Sequence, residues 1–183
     1  MAQPSMSRGA AITTSPPEAG LPPKRDRITV PVTALRDPVH LLALGFGAGL
    51  APVAPGTFGS VVGLLFGLAI APFGWWTAAA VTLLVTIAGI WICGESARRL
   101  GVHDHPAIVW DEVAGMMLVC LAAPATWWGI ALAFVLFRLF DIWKPWPIRE
   151  VDHGMSGGLG IMLDDVMAAL MAVALLILIK NYT

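Results

Sequence analysis

The sequence contains few charged residues and only two cysteines. Charged residues make up 13% of its 183 residues, whereas a soluble globular domain carries roughly 25%. Two cysteines cannot build the disulfide framework of a small secreted scaffold, and a net charge of −1 argues against a basic nucleic-acid-binding protein. Apolar residues make up 57% of the chain, which excludes an intrinsically disordered protein. These values favour an integral membrane protein, with a very apolar soluble helical bundle as the alternative.

The charged residues that are present occur in short groups. No Asp, Glu, Lys or Arg is found in 38–94, 113–137 or 166–179. Uncharged stretches that alternate with short charged segments are typical of membrane spans and their loops. The sequence therefore predicts an all-α fold, a multi-pass membrane helical bundle of about four to six helices with short loops.

The first 37 residues differ in composition from the rest of the chain. They contain six prolines, together with Ser, Thr and basic residues, and they lack the apolar run of a secretory signal. This composition is typical of disorder. We predict a disordered, Pro-rich cytoplasmic tail at 1–37 and a membrane-embedded domain at 38–183.

Local signals place helices within the uncharged stretches. An apolar helix is predicted at 58–69, with Thr57 as its N-cap. A second helix is predicted at 75–100 and should end at Gly101. The last helix is expected to run from about 163 to about 180.

The uncharged stretch at 113–137 allows two topologies. It could form one span, or it could belong to a hairpin of two helices, at about 107–123 and 127–143, with a turn at Pro124. Proline inside a helix costs about 3 kcal/mol, which favours the hairpin. The hairpin also places ten of the eleven Lys and Arg residues on one side, with Lys180 opposite. Since basic loops face the cytoplasm, we predict the hairpin and a cytoplasmic position for the charged side.

Five acidic residues lie at the predicted helix ends, and the hairpin brings them all to one membrane face. They are Asp111, Glu112, Asp141, Asp164 and Asp165. They could be ordinary solvated loop charges. However, adjacent residues on a helix point about 100° apart, so one acid of each doublet should face the bundle interior. Clustered carboxylates repel one another unless a cation lies among them, and Mg²⁺ is the usual cation where phosphate is handled.

Basic residues accompany these acids. Arg138 and Asp141 are three residues apart and therefore share a helix face, and Lys144 follows them directly before a proline. A fixed Arg and a Lys beside a metal-binding acid suit a phosphate monoester. An interfacial anchor formed with Trp143 and Trp146 is the other interpretation, and the two are compatible.

Two glycine-rich segments and a histidine-containing loop complete the candidate site. The segments 55–60 and 154–160 could bind phosphate through backbone N–H groups, or they could permit close helix packing. His103 and Asp104 precede Asp111 and could supply a general acid or base. An ordinary polar loop is the alternative interpretation of that pair.

Together these motifs resemble the phosphatidylglycerophosphatase A family of bacterial lipid phosphatases. The resemblance covers residues 38 to about 175. It is carried by PGTFGS at 55–60, GVHDH at 101–105, VWDE at 109–112, FRLFDIWKPWPIR at 137–149 and GLGIMLDD at 158–165. It implies a Mg²⁺-dependent hydrolase of the bacterial cytoplasmic membrane, and the orientation predicted from the basic residues places its active site on the cytoplasmic face. Such an enzyme converts phosphatidylglycerophosphate in the lipid bilayer to phosphatidylglycerol and inorganic phosphate, a step that also feeds cardiolipin synthesis.

We predict a catalytic set from the charges that these motifs contain. All five acids listed above belong to it, and Mg²⁺ would be bound by Asp111, Asp141 and one or both of Asp164 and Asp165. Arg138 and Lys144 would bind the phosphate oxygens, with further substrate contacts from Thr57, Ser60, His103 and Asp104. A water molecule polarised by Mg²⁺ or by Glu112 would attack phosphorus, and an aspartyl-phosphate route is the alternative. A transporter is disfavoured because the apolar runs carry no ionisable group and show no repeat.

Overall fold

A computed structural model describes residues 30–102, 105–146, 148 and 157–182, and all the regular elements in these ranges are helical. The α-helices are α1 (Pro38–Ala43), α2 (Pro55–Ile70), α3 (Trp75–Leu100), α4 (Trp110–Cys120), α5 (Trp127–Trp143) and α6 (Gly158–Tyr182). Short 3₁₀ segments lie at Val32–Arg36, Gly45–Leu50 and Ala71–Phe73. The predicted all-α class is confirmed. Most of the predicted tail, residues 1–29, lies outside the described residues.

Within the described part of the chain, three helical stretches are long and apolar enough to cross a membrane. They are Pro55–Phe73, Trp75–Leu100 and Gly158–Asn181. With 11 residues, α4 rises only about 16 Å, which is about half of the hydrocarbon thickness of a bilayer. The predicted membrane bundle therefore has three candidate spans, and α4 and α5 form a shorter pair among them.

The break between α4 and α5 confirms the predicted hairpin. The first helix ends at Cys120 and the second begins at Trp127. Thr126 caps α5, because its side chain accepts a hydrogen bond from the backbone N–H of Gly129 at 3.1 Å. The start of α4 and the end of α5 consequently lie at the same end of the bundle, where α2 and α6 also begin. We call this the acidic end.

Helix α2 begins three residues before the predicted start. Ala54 adopts a left-handed conformation (φ 49°) at the N-cap, and its side chain makes no capping hydrogen bond. The prediction that Thr57 caps the helix is wrong. The fixed φ of Pro55 suits the first position of a helix, so Thr57 already lies inside the first turn.

Helix α6 also begins earlier than predicted, at Gly158 rather than near Leu163. A Cβ at Gly158 would collide with the carbonyl oxygen of Ile90, so glycine is what allows α6 to approach α3 this closely. The prediction that the acidic doublet opens the helix is wrong as a result. Asp164 and Asp165 lie about two turns into α6, facing the interior of the bundle.

Helix α3 agrees with its prediction. It ends at Gly101, whose φ is 69°, and the Arg99 Nε donates to Glu95 Oε1 at 2.7 Å. Arg99 also contacts Asp37 at 2.6 Å, and Asp37 caps α1 by accepting the N–H of Val39. Partial burial pushes the pKa of Asp37 up, but the hydrogen bonds from backbone N–H groups and the charge of Arg99 outweigh it and hold this pKa below its usual value.

Helix α4 is central, with α2, α3, α5 and α6 packed around it. Glycines at four-residue spacing line the face of α2 that meets α4. A Cβ at Gly59 would lie 2.8 Å from the Val109 side chain, and one at Gly63 would collide with the carbonyl oxygen of Val113. Small residues permit such close helix contacts in membranes. The contacts of Gly59 and Gly63 with Val109 and Val113 therefore bring the start of α4 close to α2.

Candidate active site

Three carboxylates from two helices meet at the acidic end. Asp111 and Glu112 lie in the first turn of α4, and Asp165 approaches from α6. One carboxylate oxygen from each of these residues lies within 4.8 Å of the other two. Asp165 is only 2% exposed. We refer to Asp111, Glu112 and Asp165 as the acid cluster.

The acid cluster contains carboxylate oxygens that are buried without a hydrogen-bond partner in the described part of the chain. They are Asp111 Oδ1, Glu112 Oε2 and Asp165 Oδ2. An unpaired buried charge costs several kcal/mol, and three carboxylates this close together also repel one another. A divalent cation relieves both costs, and carboxylate oxygens are the ligands that Mg²⁺ prefers. The donor set therefore fits such an ion.

Arg138 on α5 brings a positive charge to the acid cluster. Its Nη1 forms an ion pair with Asp141 and contacts Ser60 Oγ at 3.3 Å. Ser60 in turn donates to the Gly56 carbonyl oxygen at 2.9 Å, which fixes its hydroxyl on α2. The Arg138 Nε is buried and has no partner among the described residues. This guanidinium is thus held in place at one edge and retains a donor for an anion.

Asp141 connects Arg138 to the acid cluster. Besides its ion pair with Arg138, it lies close enough to Glu112 and Asp165 to interact electrostatically with both. Its position confirms that the hairpin returns α5 to the face from which α4 starts. It also places a fourth carboxylate beside the cluster.

Asp164 is oriented differently from its neighbour in the sequence. Its Oδ2 accepts a hydrogen bond from Lys144 Nζ at 2.6 Å, and its Oδ1 accepts the backbone N–H of Asp165 at 3.0 Å. It is not part of the acid cluster. Lys144 lies at the C-terminal end of α5, so this pair joins α5 to α6 at the edge of the site.

The glycine-rich start of α2 packs directly against the site. A Cβ at Gly56 would collide with Glu112 Oε1 and would lie 3.2 Å from Arg138 Nη1. Close packing therefore explains Gly56, as it explains Gly59, and it was one of the two interpretations open at this segment. Thr57 lies half-buried in the same turn.

The structure brings most of the predicted site residues to the acidic end. Those placed at or beside the acid cluster are Asp111, Glu112, Asp165, Asp141, Arg138 and Ser60, while Asp164 and Lys144 form a pair next to it. His103 and Asp104 lie outside the described residues. Sequence reasoning did not place Glu112 with the metal-binding candidates, although its position next to Asp111 was a signal. It also gave no indication of the contact between Gly56 and Glu112.

Comparison with known proteins identifies close relatives of this chain. The sequence profile described as phosphatidylglycerophosphatase A matches residues 41–180. A protein of that name from Escherichia coli K12 is 42% identical over 149 residues, which cover 81% of this chain and 87% of the relative. A Haemophilus influenzae protein of the same name is 44% identical over 151 residues, covering 81% of this chain and 93% of the relative.

A third relative has a different name. This Bacteroides thetaiotaomicron protein is provisionally named a phosphatidylinositol-3-phosphatase and is 39% identical over 136 residues, covering 70% of this chain and 84% of its own length. No solved structure matches the chain. The matched region contains the acid cluster, Arg138 and Lys144. Since the profile spans residues 41–180 and two relatives reach 42% and 44% identity over most of their length, the chain belongs to the phosphatidylglycerophosphatase A family.

Proposed function

We propose that this protein removes the terminal phosphate of phosphatidylglycerophosphate, giving phosphatidylglycerol and inorganic phosphate, as a step of phosphatidylglycerol synthesis in the bacterial inner membrane. The names of its relatives in Escherichia coli and Haemophilus influenzae support this substrate. The observation that carries the proposal is the acid cluster itself, with its unpartnered oxygens beside Arg138. A phosphate monoester is the ligand class that such a mixture of carboxylates and guanidinium suits.

A divalent metal ion belongs to this proposal. Asp111, Glu112 and Asp165 would hold Mg²⁺, with Asp141 beside them. This set keeps Asp111 and Asp165 from the sequence-based ligand prediction, adds Glu112 and leaves out Asp164. Asp141, which was also predicted as a ligand, lies beside the ligands instead. When bound, Mg²⁺ supplies Lewis-acid chemistry, because it neutralises charge on a phosphoryl group.

The protein's own side chains bind the phosphate and accept the proton from the attacking water. Arg138, oriented by Asp141 and Ser60, donates to a phosphate oxygen. Water attacks phosphorus, and its proton passes to a carboxylate of the acid cluster, for which our candidate is the oxygen of Glu112 that does not hold the ion. The ester P–O bond breaks, the glycerol oxygen leaves and takes up a proton, and inorganic phosphate is released. In-line displacement of this kind depends mainly on positioning and on charge stabilisation.

The site is proposed to face the cytoplasm, because the basic residues are concentrated at the acidic end. Two exposed positions test this orientation in whole cells. In a Cys120→Ala background, Val53→Cys before α2 should react with a membrane-impermeant maleimide only after the cells are opened, whereas Ala125→Cys in the α4–α5 turn should react in intact cells. Labelling of both positions from one side would contradict the hairpin orientation in the membrane.

A substrate panel tests the activity directly. The purified chain in proteoliposomes is supplied with phosphatidylglycerophosphate, phosphatidylinositol 3-phosphate, phosphatidic acid or soluble glycerol phosphate, each with Mg²⁺ and with EDTA. We expect fastest phosphate release from phosphatidylglycerophosphate, loss of release in EDTA, and recovery when Mg²⁺ is added back. Preference for the inositol lipid would favour the activity named for the Bacteroides relative, and preference for the soluble ester would overturn the lipid assignment. Full activity in EDTA would remove the metal from the proposal.

A further inference from the structure

The acidic doublet of α6 consists of two residues with opposite surroundings. Asp165 belongs to the acid cluster, and its Oδ2 is buried without a partner in the described ranges. Asp164 accepts a hydrogen bond on each of its oxygens, from Lys144 Nζ at 2.6 Å and from the backbone N–H of Asp165 at 3.0 Å. Two identical side chains that are adjacent in the sequence are therefore distinguished by their contacts.

The lysine that contacts Asp164 has an unusual backbone conformation. Lys144 is left-handed, with φ 43° and ψ 61° at the C-cap of α5, and its N–H donates to the Phe140 carbonyl oxygen. A left-handed residue other than glycine costs about 1–2 kcal/mol and persists where the surrounding structure imposes it. The pair with Asp164 is one such constraint, because it fixes the far end of the side chain to another helix.

Lys144 lies at the rim of the site and remains accessible. Its side chain is 30% exposed, whereas that of Asp164 is 11% exposed. Its ammonium group contacts Asp164, which directly precedes Asp165, and Asp141, three residues earlier on α5, interacts with Glu112 and Asp165. A lysine side chain carries about 2 kcal/mol of rotamer entropy, and a buried carboxylate that holds it removes this cost before a ligand arrives.

We propose that Asp165 faces the metal and that Asp164 is a positioning residue, which holds the Lys144 ammonium at the rim of the acid cluster to receive a phosphate monoester. The inference rests on the proposed function in one respect, the identity of the ligand as a phosphate group. Asp164 acts on that ligand through Lys144, and the pair with the ammonium group offsets the repulsion between its carboxylate and the phosphate.

Binding measurements on the full chain in lipid nanodiscs separate the two roles. The probes are Mn²⁺, followed by electron paramagnetic resonance, and inorganic phosphate, followed by calorimetry in the presence of Mg²⁺. For Asp164→Asn we expect phosphate binding about tenfold weaker, as for the loss of one charge-assisted hydrogen bond, with Mn²⁺ affinity within about twofold of wild type. For Asp165→Asn, the matched control in the same doublet, we expect Mn²⁺ affinity about 10–100-fold weaker.

A double-mutant cycle tests whether Asp164 works through Lys144. Lys144→Gln should weaken phosphate binding as Asp164→Asn does, and the double variant should be no weaker than Lys144→Gln alone, because coupled residues are not additive. Asp164→Glu, which can keep the pair, should recover most of the affinity. Multiplicative effects in the double variant would contradict the proposal, as would phosphate binding that is unchanged or tighter in Asp164→Asn. Equal loss of Mn²⁺ affinity in Asp164→Asn and Asp165→Asn would make Asp164 a metal ligand instead.

Two further points make the result decisive. If Asp164→Asn does not fold, Asp164→Glu and Lys144→Gln replace it. Normal Mn²⁺ affinity in both variants, with weaker phosphate binding in Lys144→Gln, supports the proposal. Loss of Mn²⁺ affinity in Asp164→Glu opposes it. The probes are also independent of the lipid. Failure of the wild-type protein to hydrolyse phosphatidylglycerophosphate would overturn the proposed substrate and leave the division between Asp164 and Asp165 measurable.

Discussion

The two ends of the helical bundle differ in how well their atoms are packed and hydrogen-bonded. At the acidic end, carboxylate oxygens and the Arg138 Nε are buried without partners in the described ranges. At the other end, α2, α3 and α4 line a half-open, mainly apolar pocket of about 180 Å³, whose lining includes Gly67, Thr82 and Cys120. Exposed tryptophan pairs stand at that end, where α3 and α5 begin.

The two features differ in their free-energy cost to the folded protein. A cavity in an apolar region forfeits packing contacts, whereas an unpaired buried charge costs several kcal/mol. Among the described residues, the buried polar atoms without a partner lie at the acidic end, beside the Arg138 guanidinium, whereas the pocket that costs only packing contacts lies at the other end. This contrast indicates that the acidic end is maintained for chemistry and that the opposite end only has to fit the membrane.

The largest effect should come from removing a charge from the acid cluster. Asp165→Asn should lower phosphate release about 100-fold or more, since metal-site and electrostatic groups contribute on that scale. Its free energy of unfolding should stay the same or increase, because the substitution removes a repelling carboxylate. Turnover by the purified variant and its unfolding in denaturant, measured without divalent metal, check both parts. A clear loss of stability would show that Asp165 is a structural residue. It would contradict the conclusion that the acidic end is maintained for chemistry.

A smaller loss is expected when the guanidinium is replaced. Arg138→Lys keeps the charge, but a single ammonium group cannot contact Asp141 and Ser60 and also donate to a phosphate oxygen in the same geometry. We expect kcat/KM to fall about 10-fold, in line with the loss of a charged hydrogen bond. Ser60→Ala leaves the guanidinium in place and removes its contact with Ser60 at 3.3 Å, together with the hydrogen bond from Ser60 to the Gly56 carbonyl oxygen. Its kcat/KM should lie between those of Arg138→Lys and wild type. Wild-type kcat/KM in Arg138→Lys would show that the several N–H donors of the guanidinium are not needed for catalysis.

The glycine face of α2 should matter for stability more than for chemistry. Gly63→Ala places a methyl group against the backbone of Val113, which cannot move aside as a flexible side chain could. Overpacking of this kind costs about 1–3 kcal/mol, to be measured as the change in the free energy of unfolding. The matched control is Val61→Ala on the exposed side of the same helix, which should change stability much less. Equal effects at both positions would mean that α2 and α4 are not closely packed there.

The smallest effect is expected at the pocket end. Cys120→Ala removes one sulfur from the pocket wall, which should cost about 1 kcal/mol or less in the free energy of unfolding. Phosphate release should remain within about twofold of wild type, because Cys120 lies at the opposite end of α4 from Asp111 and Glu112. A loss of activity comparable to that of Arg138→Lys would show that the two ends are energetically connected.

The helices could be predicted largely from local signals. Uncharged runs, the turn at Pro124 and the stop at Gly101 predicted α3, α5 and the hairpin between α4 and α5, because these features depend on residues close together in sequence. The starts of α2 and α6 were wrong by three and five residues. Both helices begin in glycine-rich segments, where local propensity is weak and packing against a neighbouring helix decides the outcome.

The sequence by itself determined the class of fold, the apolar helices and the presence of five acids with Arg138 and Lys144 at one end of the bundle. Only the tertiary structure decided which acids meet. Neighbouring residues on a helix point about 100° apart, so the rotation of α6 against α4 and α5 separates Asp165 in the acid cluster from Asp164 on Lys144. That rotation is set by contacts between helices far apart in sequence, such as Gly158 against Ile90.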